Sequence, residues 1–222
     1  HIRGIWQAQE EPWDGFIRWA KAFYEWEGFD EAERDYKLDY VDELREARRS
    51  LEQGDEWIDD LKRALQGTNL VFYMTVDDFL TWCREHPERA REAVRKLWEG
   101  EAPLLSRIDR FIGEAEEPLS GGQVRLTASL LMAIDPTRYP PFAKTAFRKA
   151  YELTGYPPPS EDATNGERYR HALYFLDRLQ EDSRERGLEL RDRLDAQGLV
   201  WSITKWKRDS SGIGEVFDER PI

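Results

Sequence analysis

Hydrophobic residues recur at intervals of three and four positions along most of this chain, which is the spacing of an amphipathic α-helix. The first clear example is "EPWDGFIRWAKAFYEWEG", where Gly28 stands at the position expected for a C-terminal helix stop. Its apolar stripe consists of Trp13, Phe16, Ile17, Ala20, Phe23 and Tyr24. The pattern predicts a helix that buries one aromatic face.

The following segment, "DEAERDYKLDYVDELREARRSLEQGDEWIDDLKRALQG", has few apolar positions among interspersed acids and bases. These positions are Tyr36, Tyr40, Leu44, Leu51, Trp57, Ile58, Leu61 and Leu65. This pattern predicts a long solvent-exposed helix, or a helical hairpin broken near Gly54.

The stretch "TNLVFYMT" is the best strand candidate because it is short, apolar and rich in β-branched and aromatic residues. An extended connector explains it equally well. Thr75-x-x-Asp78 then resembles a helix-capping box, and Pro87 opens another helix at a first-turn position.

Helical spacing continues through the second half of the chain, where Gly198 is the expected weak point of the last helix. We therefore predict an all-α, multi-helix globular domain of about nine helices with at most one short strand. It should form a single helical module over 1–222. A subdivision into an acidic helical arm (1–67) and a helical core (68–208) is the alternative.

The stretch "LSGGQ", residues 119–123, matches the signature motif of ABC-type ATPases. Such an enzyme also needs a G-x-x-x-x-G-K-[ST] phosphate loop, and the chain has no Gly-Lys pair. The span from Gln123 to Asp135 is also too short for a helix, a turn and a buried strand. We therefore interpret the motif as a Gly-Gly entry to a buried helix running to Asp135, and we expect no enzymatic activity and no cofactor.

The 222 residues are 35% charged and 13% aromatic, which is typical of a globular chain with a strongly ionised surface. A net charge of −12 excludes a generally basic surface for nucleic acid but leaves room for one local basic face. The single Cys83 and the absence of a signal peptide or membrane span predict a cytoplasmic protein with no membrane partner. Because the chain begins with His1 and its tail loses helical spacing, we expect a fragment of a longer polypeptide.

The residue types that most often catalyse reactions or bind metals form no candidate site in this sequence. His86 and His171 lack metal-ligand spacing, Cys83 lacks a base partner, and no carboxylate pair stands out from the acidic background. We therefore predict no catalytic residue and no metal site.

Two segments break the acidic background by interleaving basic and aromatic residues, "RYPPFAKTAFRKAY" and "WSITKWKR". Their basic residues are Arg138, Lys144, Arg148, Lys149, Lys205, Lys207 and Arg208. Such a pattern suits phosphate contact combined with base stacking. The same pattern also arises when the aromatic residues form the core and the basic groups are its solvated fringe.

The region from Trp98 to Trp206 resembles the helical region ahead of the motor in some McrB-like AAA+ ATPases of modification-dependent restriction systems. The blocks "LTASLLMAIDPTRYPPFAKTAFRKAYELTGYP" and "GLELRDRLDAQGLVWSITKW" carry the resemblance, with looser agreement in "TNLVFYMTVDDFLTW" and "AREAVRKLWEG". The resemblance implies an N-terminal module in a defence system, with the nucleotide-hydrolysing motor beyond Ile222. It also implies contacts with the remainder of the polypeptide and oligomerisation through the motor.

A second resemblance links "LSGGQVRLTA" to the L-P-G-V-G-x-x-T-A hairpin of helix-hairpin-helix glycosylases, which holds a DNA phosphate through backbone N–H groups. The spacing is one residue too long, and Ala143-Lys144 stands where the catalytic Asp is expected. We therefore expect no glycosylase, although phosphate binding by Gly121 and Gly122 stays open.

Two hypotheses follow. In the first, the module recognises a DNA target or makes assembly contacts through the basic-aromatic face between Arg138 and Tyr151. In the alternative, the chain is a structural adaptor without a nucleic-acid role, and its acidic long helix docks a protein partner.

Overall fold

The computed structural model describes residues 11–54, 56–115 and 123–206. Within these ranges the chain forms ten α-helices and one π-helical turn, and no residue lies in a strand. The helices are α1 (Pro12–Tyr24), α2 (Tyr36–Gln53), α3 (Trp57–Gln66), α4 (Tyr73–Glu85), α5 (Pro87–Glu99), α6 (Leu104–Glu114), α7 (Gln123–Leu131), α8 (Lys144–Thr154), α9 (Asn165–Glu185) and α10 (Arg193–Lys205). The π-helical turn (Glu31–Asp35) precedes α2. The all-α prediction is confirmed.

The segment "TNLVFYMT" is not a strand. Residues 68–72 form a connection without regular hydrogen bonding, and α4 begins at Tyr73. The capping box predicted at Thr75 is wrong, because Thr75 is buried inside α4 and Phe72 occupies the N-cap without a side-chain hydrogen bond. A short apolar run does not by itself distinguish a strand from the start of a helix.

The capping box that does form lies at the start of α9. The Thr164 hydroxyl accepts a hydrogen bond from the Glu167 amide at 3.2 Å, and the Glu167 carboxylate accepts one from the Thr164 amide at 2.8 Å. This reciprocal pair satisfies two backbone donors that would otherwise lack a partner in the helix.

Two helix ends differ from the predictions. Helix α1 ends at Tyr24, four positions before Gly28, and α7 ends at Leu131 rather than continuing to Asp135. The predicted break near Gly54 and the helix start at Pro87 are confirmed. Apolar spacing alone therefore overestimated the length of two helices. Beyond each helix end the backbone is no longer helical, although some of its side chains are still partly buried.

Helices α1, α8, α9 and α10 pack against one another around an aromatic cluster centred on Phe175. The Phe175 ring centre lies 5.0 Å from that of Tyr151 and 5.6 Å from that of Trp13. Phe147 joins the same cluster from α8. Edge-on and offset aromatic packing of this kind adds to the free energy gained by burying apolar area.

Gly198, predicted to weaken α10, has a packing role. A Cβ atom at this position would lie 3.1 Å from the Cβ of Glu33 and 3.2 Å from the Cζ of Phe29. The missing side chain lets the π-helical turn approach the backbone of α10. The intrinsic cost of glycine in a helix is therefore offset by this close contact.

An ion network holds the same two elements together. Asp195 is buried in α10 and accepts hydrogen bonds from Arg34 at 2.7 Å, from the Arg191 Nε at 2.7 Å and from the Tyr24 hydroxyl at 2.8 Å. Arg34 also bonds Asp192 at 2.8 Å. Burial alone would raise the pKa of Asp195, but the hydrogen bonds from Arg191 and Tyr24 and the two positive charges outweigh it and lower the pKa.

Candidate nucleic-acid interface

A cleft of about 840 Å³ opens where the α3–α4 connection meets the first turns of α4, α7 and α8 and the last turns of α10. Its wall combines large aromatic side chains with basic groups. The lining residues are Leu65, Gln66, Thr68, Asn69, Val71, Phe72, Tyr73, Val76, Arg125, Thr145, Trp201 and Lys205. We refer to it as the cationic-aromatic cleft.

The α3–α4 connection presents aromatic rings at the rim of this cleft. The Thr68 hydroxyl accepts a hydrogen bond from the Leu70 amide at 3.2 Å, and Leu70 and Val71 are buried. With the connection anchored in this way, Phe72 and Tyr73 remain 63% and 72% exposed. Large apolar side chains with this much exposure beside one another are unusual on a monomeric surface and indicate an interaction site.

Arg125, the third residue of α7, lines the cleft wall. Its guanidinium donates hydrogen bonds to the carbonyl oxygens of Leu70 and Asn69, the latter at 3.2 Å. The guanidinium carbon lies 4.3 Å from the ring centre of Phe72 and 5.7 Å from that of Trp201. Carbonyl oxygens and aromatic rings thus hold the side chain in place.

No carboxylate in the described ranges forms a salt bridge with Arg125. Burial lowers the pKa of this guanidinium, and the nearby Tyr36 only partly offsets the effect. The group still carries its charge at neutral pH because the pKa of arginine starts so high. A half-buried cation without a counter-ion carries a desolvation cost that an anionic ligand would relieve.

The backbone adds further positive character. Phe72 and Tyr73 lie at the start of α4, and Thr145 lies in the first turn of α8. Neither helix has a side-chain N-cap, and the first turns of α4, α7 and α8 contain no acidic residue. The positive ends of these helix dipoles therefore supplement Arg125 at the cleft.

The structure brings two of the predicted residues to this region. Lys205 lines the cleft directly. Lys144 is exposed and begins α8, next to the lining residue Thr145. Both come from the segments whose basic-aromatic pattern was singled out in the sequence.

The other predicted residues are placed differently. Arg148 and Lys149 extend along α8, where Glu152 lies 3.9 Å and 3.7 Å from their side-chain nitrogens and partly offsets their charge. Arg138 does not line the cleft; its guanidinium lies 5.4 Å from the centre of the Tyr139 ring. The remaining predicted positions lie outside the described residues, namely Gly121, Gly122, Lys207 and Arg208.

Sequence reasoning missed the arginine of the cleft wall. Arg125 follows "LSGGQ" after a single residue, but the prediction treated that helix as a buried element only. Phe72 and Tyr73 were likewise assigned to a strand or connector. The sequence offered one signal for them. Large apolar residues follow one another at the start of a helix, and no facing helix is evident to bury them.

The reactive residue types form no further site in the part of the chain that the structure describes. There, no three His, Cys, Asp or Glu side chains cluster in a way that could hold a metal ion. Cys83 is buried in α4, and burial raises the pKa of its thiol. The His171 Nε2 atom lies 2.8 Å from the carbonyl oxygen of Pro157, which ties α9 to the proline-rich loop.

No protein-family model, curated protein or solved structure matches the chain. No helix within the described ranges is both long enough and apolar enough to cross a membrane. The function therefore has to be inferred from the cleft itself.

Proposed function

We propose that this chain is a non-catalytic DNA-binding module and that the cationic-aromatic cleft is its contact surface. One observation carries the proposal. Arg125 is a half-buried guanidinium with no carboxylate partner in the described ranges, and it contacts the rings of Phe72 and Trp201.

DNA offers both kinds of group that such a site recognises. A phosphate supplies the negative counter-charge that no described carboxylate provides to Arg125. Lys205 adds a second cation at the same wall. A base supplies a flat surface that can stack on Phe72, Tyr73 or Trp201, and such stacking contributes about 1–3 kcal/mol per base. The volume of about 840 Å³ lies within the range of ordinary ligand sites.

The exposed basic groups of α8 extend the same face. Lys144 stands beside the cleft, and Arg148 follows one turn later. Because the whole chain carries a net charge of −12, phosphate contacts have to be confined to a local surface such as this one. We propose further that the module provides DNA recognition to a longer McrB-like restriction ATPase, as the sequence resemblance implies.

The exposed apolar triplet Phe72-Tyr73-Met74 favours a second candidate, a protein-docking adaptor. These side chains are 63%, 72% and 70% exposed, respectively. An adaptor that relies on apolar burial would bind its partner with little dependence on salt, whereas DNA binding weakens steeply as salt is added.

The proposal can be tested by fluorescence anisotropy with short fluorescein-labelled single-stranded and duplex DNA over a series of salt concentrations. We expect the parent protein to bind at least one of these probes and Arg125→Gln to weaken binding by about tenfold or more. The salt slope should fall by about one, since one phosphate contact is removed.

Arg84→Gln is the matched control. It removes an exposed arginine near the other end of α4, about 16 Å along the helix from Tyr73 at 1.5 Å per residue. Its DNA affinity should equal that of the parent. Absence of binding by the parent, or equal binding and salt slope for Arg125→Gln and the parent, would refute the proposed function.

A further inference from the structure

A buried polar cluster lies behind the wall of the cleft. The Lys37 ammonium donates hydrogen bonds to the Glu33 carboxylate at 2.9 Å and to the Gln197 side-chain oxygen at 2.8 Å. The three residues are only 1%, 2% and 4% exposed, in that order. We call Glu33, Lys37 and Gln197 the inner polar cluster.

This cluster is a poor way to stabilise a fold. Removing two charges from water costs several kcal/mol each, and replacing a buried ion pair with apolar groups of similar volume is often neutral or stabilising. Burial raises the pKa of Glu33, and the Lys37 ammonium together with hydrogen bonds from Trp206 and Ser202 only partly offsets that rise. A fully buried Lys–Glu pair therefore needs an explanation other than stability.

The cluster is connected directly to the cleft. A small chamber of about 20 Å³ adjoins both, because its lining includes Lys37 and Gln197 of the cluster, Arg125 and Trp201 of the cleft wall, and Tyr36. The Lys37 ammonium lies 5.5 Å from the centre of the Tyr36 ring, whose side chain in turn faces the guanidinium of Arg125 across the chamber.

The helix geometry gives a second connection. Gln197 precedes Trp201 by four residues in α10, so the two side chains share one face of the helix. Lys37 holds Gln197 from one side, and Trp201 lies 5.7 Å from the Arg125 guanidinium on the other. One turn of helix therefore joins the cluster to Trp201 at the cleft wall.

The π-helical turn contains Glu33, the acidic residue of the buried Lys37–Glu33 pair. It spans Glu31–Asp35, and wide turns of this type occur frequently at functional sites. The absence of a side chain at Gly198 allows the turn to approach α10 closely enough for Glu33 to be buried. The local backbone is therefore shaped around the cluster.

We propose that Glu33, Lys37 and Gln197 are positioning residues that fix the side chains of Arg125 and Trp201 in the geometry that binds DNA. The ligand in this proposal rests on the proposed function; the positioning of Arg125 does not. Without the cluster, Arg125 and Trp201 keep their chemistry but lose their fixed arrangement.

The test uses the double variant Glu33→Leu/Lys37→Met, which removes both charges together and keeps similar volumes. We expect a thermal midpoint equal to or above that of the parent, and DNA affinity weaker by about tenfold, the effect usual for removing side chains that support a binding site. Gln197→Met, a single change of similar shape, should weaken binding in the same direction and serves if the double variant does not fold.

A readout without DNA separates this inference from the proposed function. The Nε–H signal of Arg125 can be assigned in nitrogen-15 NMR spectra by its loss in Arg125→Lys, and its exchange with water can be measured. We expect exchange at least about tenfold faster in the double variant and in Gln197→Met, since the guanidinium no longer stays in one arrangement.

Asp182→Asn is the control, because Asp182 is buried in α9 and pairs with Arg178 and Arg186 rather than with the cleft. It should lower stability while leaving DNA affinity and the Arg125 signal unchanged. An unchanged Arg125 signal in both cluster variants would overturn the inference whatever their DNA affinity. If the parent binds no DNA but the Arg125 signal changes as expected, only the proposed function fails.

Discussion

Two regions of this molecule place arginine side chains among aromatic rings, and they differ in how the positive charge is balanced. Around Asp195, Arg34 and Arg191 bond directly to carboxylates while Arg191 also lies 5.8 Å from the ring centre of Tyr24. In the cationic-aromatic cleft, Arg125 has only carbonyl oxygens and rings as partners.

This difference separates a structural arginine from one available to a ligand. A guanidinium whose charge is compensated by buried carboxylates is already neutralised within the fold, and breaking the pair destabilises the protein because it leaves a buried charge behind. A guanidinium held only by neutral acceptors keeps its attraction for anions. The comparison therefore places Asp195 among the structural ion pairs and supports our proposal that the Arg125 cleft binds a ligand.

The largest expected effect tests the structural half of the comparison. Asp195→Asn should lower the free energy of unfolding by about 3 kcal/mol, because it removes the buried carboxylate that Arg34 and Arg191 share and leaves them only the more exposed Asp192 and Asp30. Urea unfolding followed by circular dichroism gives this value. Asp42→Asn, at an exposed ion pair with Arg45, is the control and should cost less than about 0.5 kcal/mol. A loss below about 1 kcal/mol for Asp195→Asn would remove the contrast between the two regions.

The reverse behaviour is expected for Arg125. Arg125→Met should weaken DNA binding by about tenfold or more. It should change the free energy of unfolding by no more than about 1 kcal/mol, because the lost hydrogen bonds to carbonyl oxygens and the lost ring contacts are offset by removing a half-buried charge. Anisotropy titrations and urea unfolding of the same sample check both values. A large loss of stability with unchanged DNA affinity would place Arg125 with the structural arginines.

A pH experiment sharpens the assignment of Asp195. Its pKa is lowered in the folded state, so its contribution to stability is present above the pKa of the unfolded chain, near 3.9, and is lost as the pH falls through the lower folded value. The parent should therefore lose unfolding free energy below about pH 4. Asp195→Asn should lack that component of the loss. Parallel pH profiles for the two proteins would show that Asp195 does not contribute as proposed.

The smallest expected effect concerns Lys144 and Arg148, which lie at the edge of the proposed DNA contact surface. Lys144→Gln should reduce the salt slope of DNA binding by about one, and Arg148→Gln should change it less because Glu152 lies near the Arg148 side chain. Lys62→Gln, an exposed change on α3, is the control and should leave the slope unaltered. A larger effect from Arg148 than from Lys144 would shift the contact surface along α8.

The helical architecture could be predicted from the sequence because each amphipathic helix carries its own spacing of apolar residues. The break near Gly54, the start at Pro87 and the burial of Phe147 and Tyr151 follow from local rules of this kind. The predicted capping box at Thr75 was wrong because the same residue pattern also occurs inside a helix, and here Thr75 is buried within α4.

The site could be predicted only in part. Lys144 and Lys205 were found because they interrupt an acidic chain beside aromatic residues. Arg125 was not found because nothing near it in the sequence marks it as lacking a carboxylate partner. That property depends on which segments pack around α7, and the nearest acceptors are more than fifty positions earlier in the chain, at Asn69 and Leu70.

By itself, the sequence determined that this protein is helical, that its core is aromatic and that segments with basic residues but no acidic ones are exceptions in a chain of net charge −12. These properties depend on residue type and on spacing over one or two helical turns. Only the tertiary structure decided that carboxylates neutralise Arg34 and Arg191 while, among the described residues, none pairs with Arg125, and where Gly198 lets two backbones meet. Those outcomes are set by distances of a few ångströms between segments far apart in the chain, because charge compensation and close packing act only at contact range.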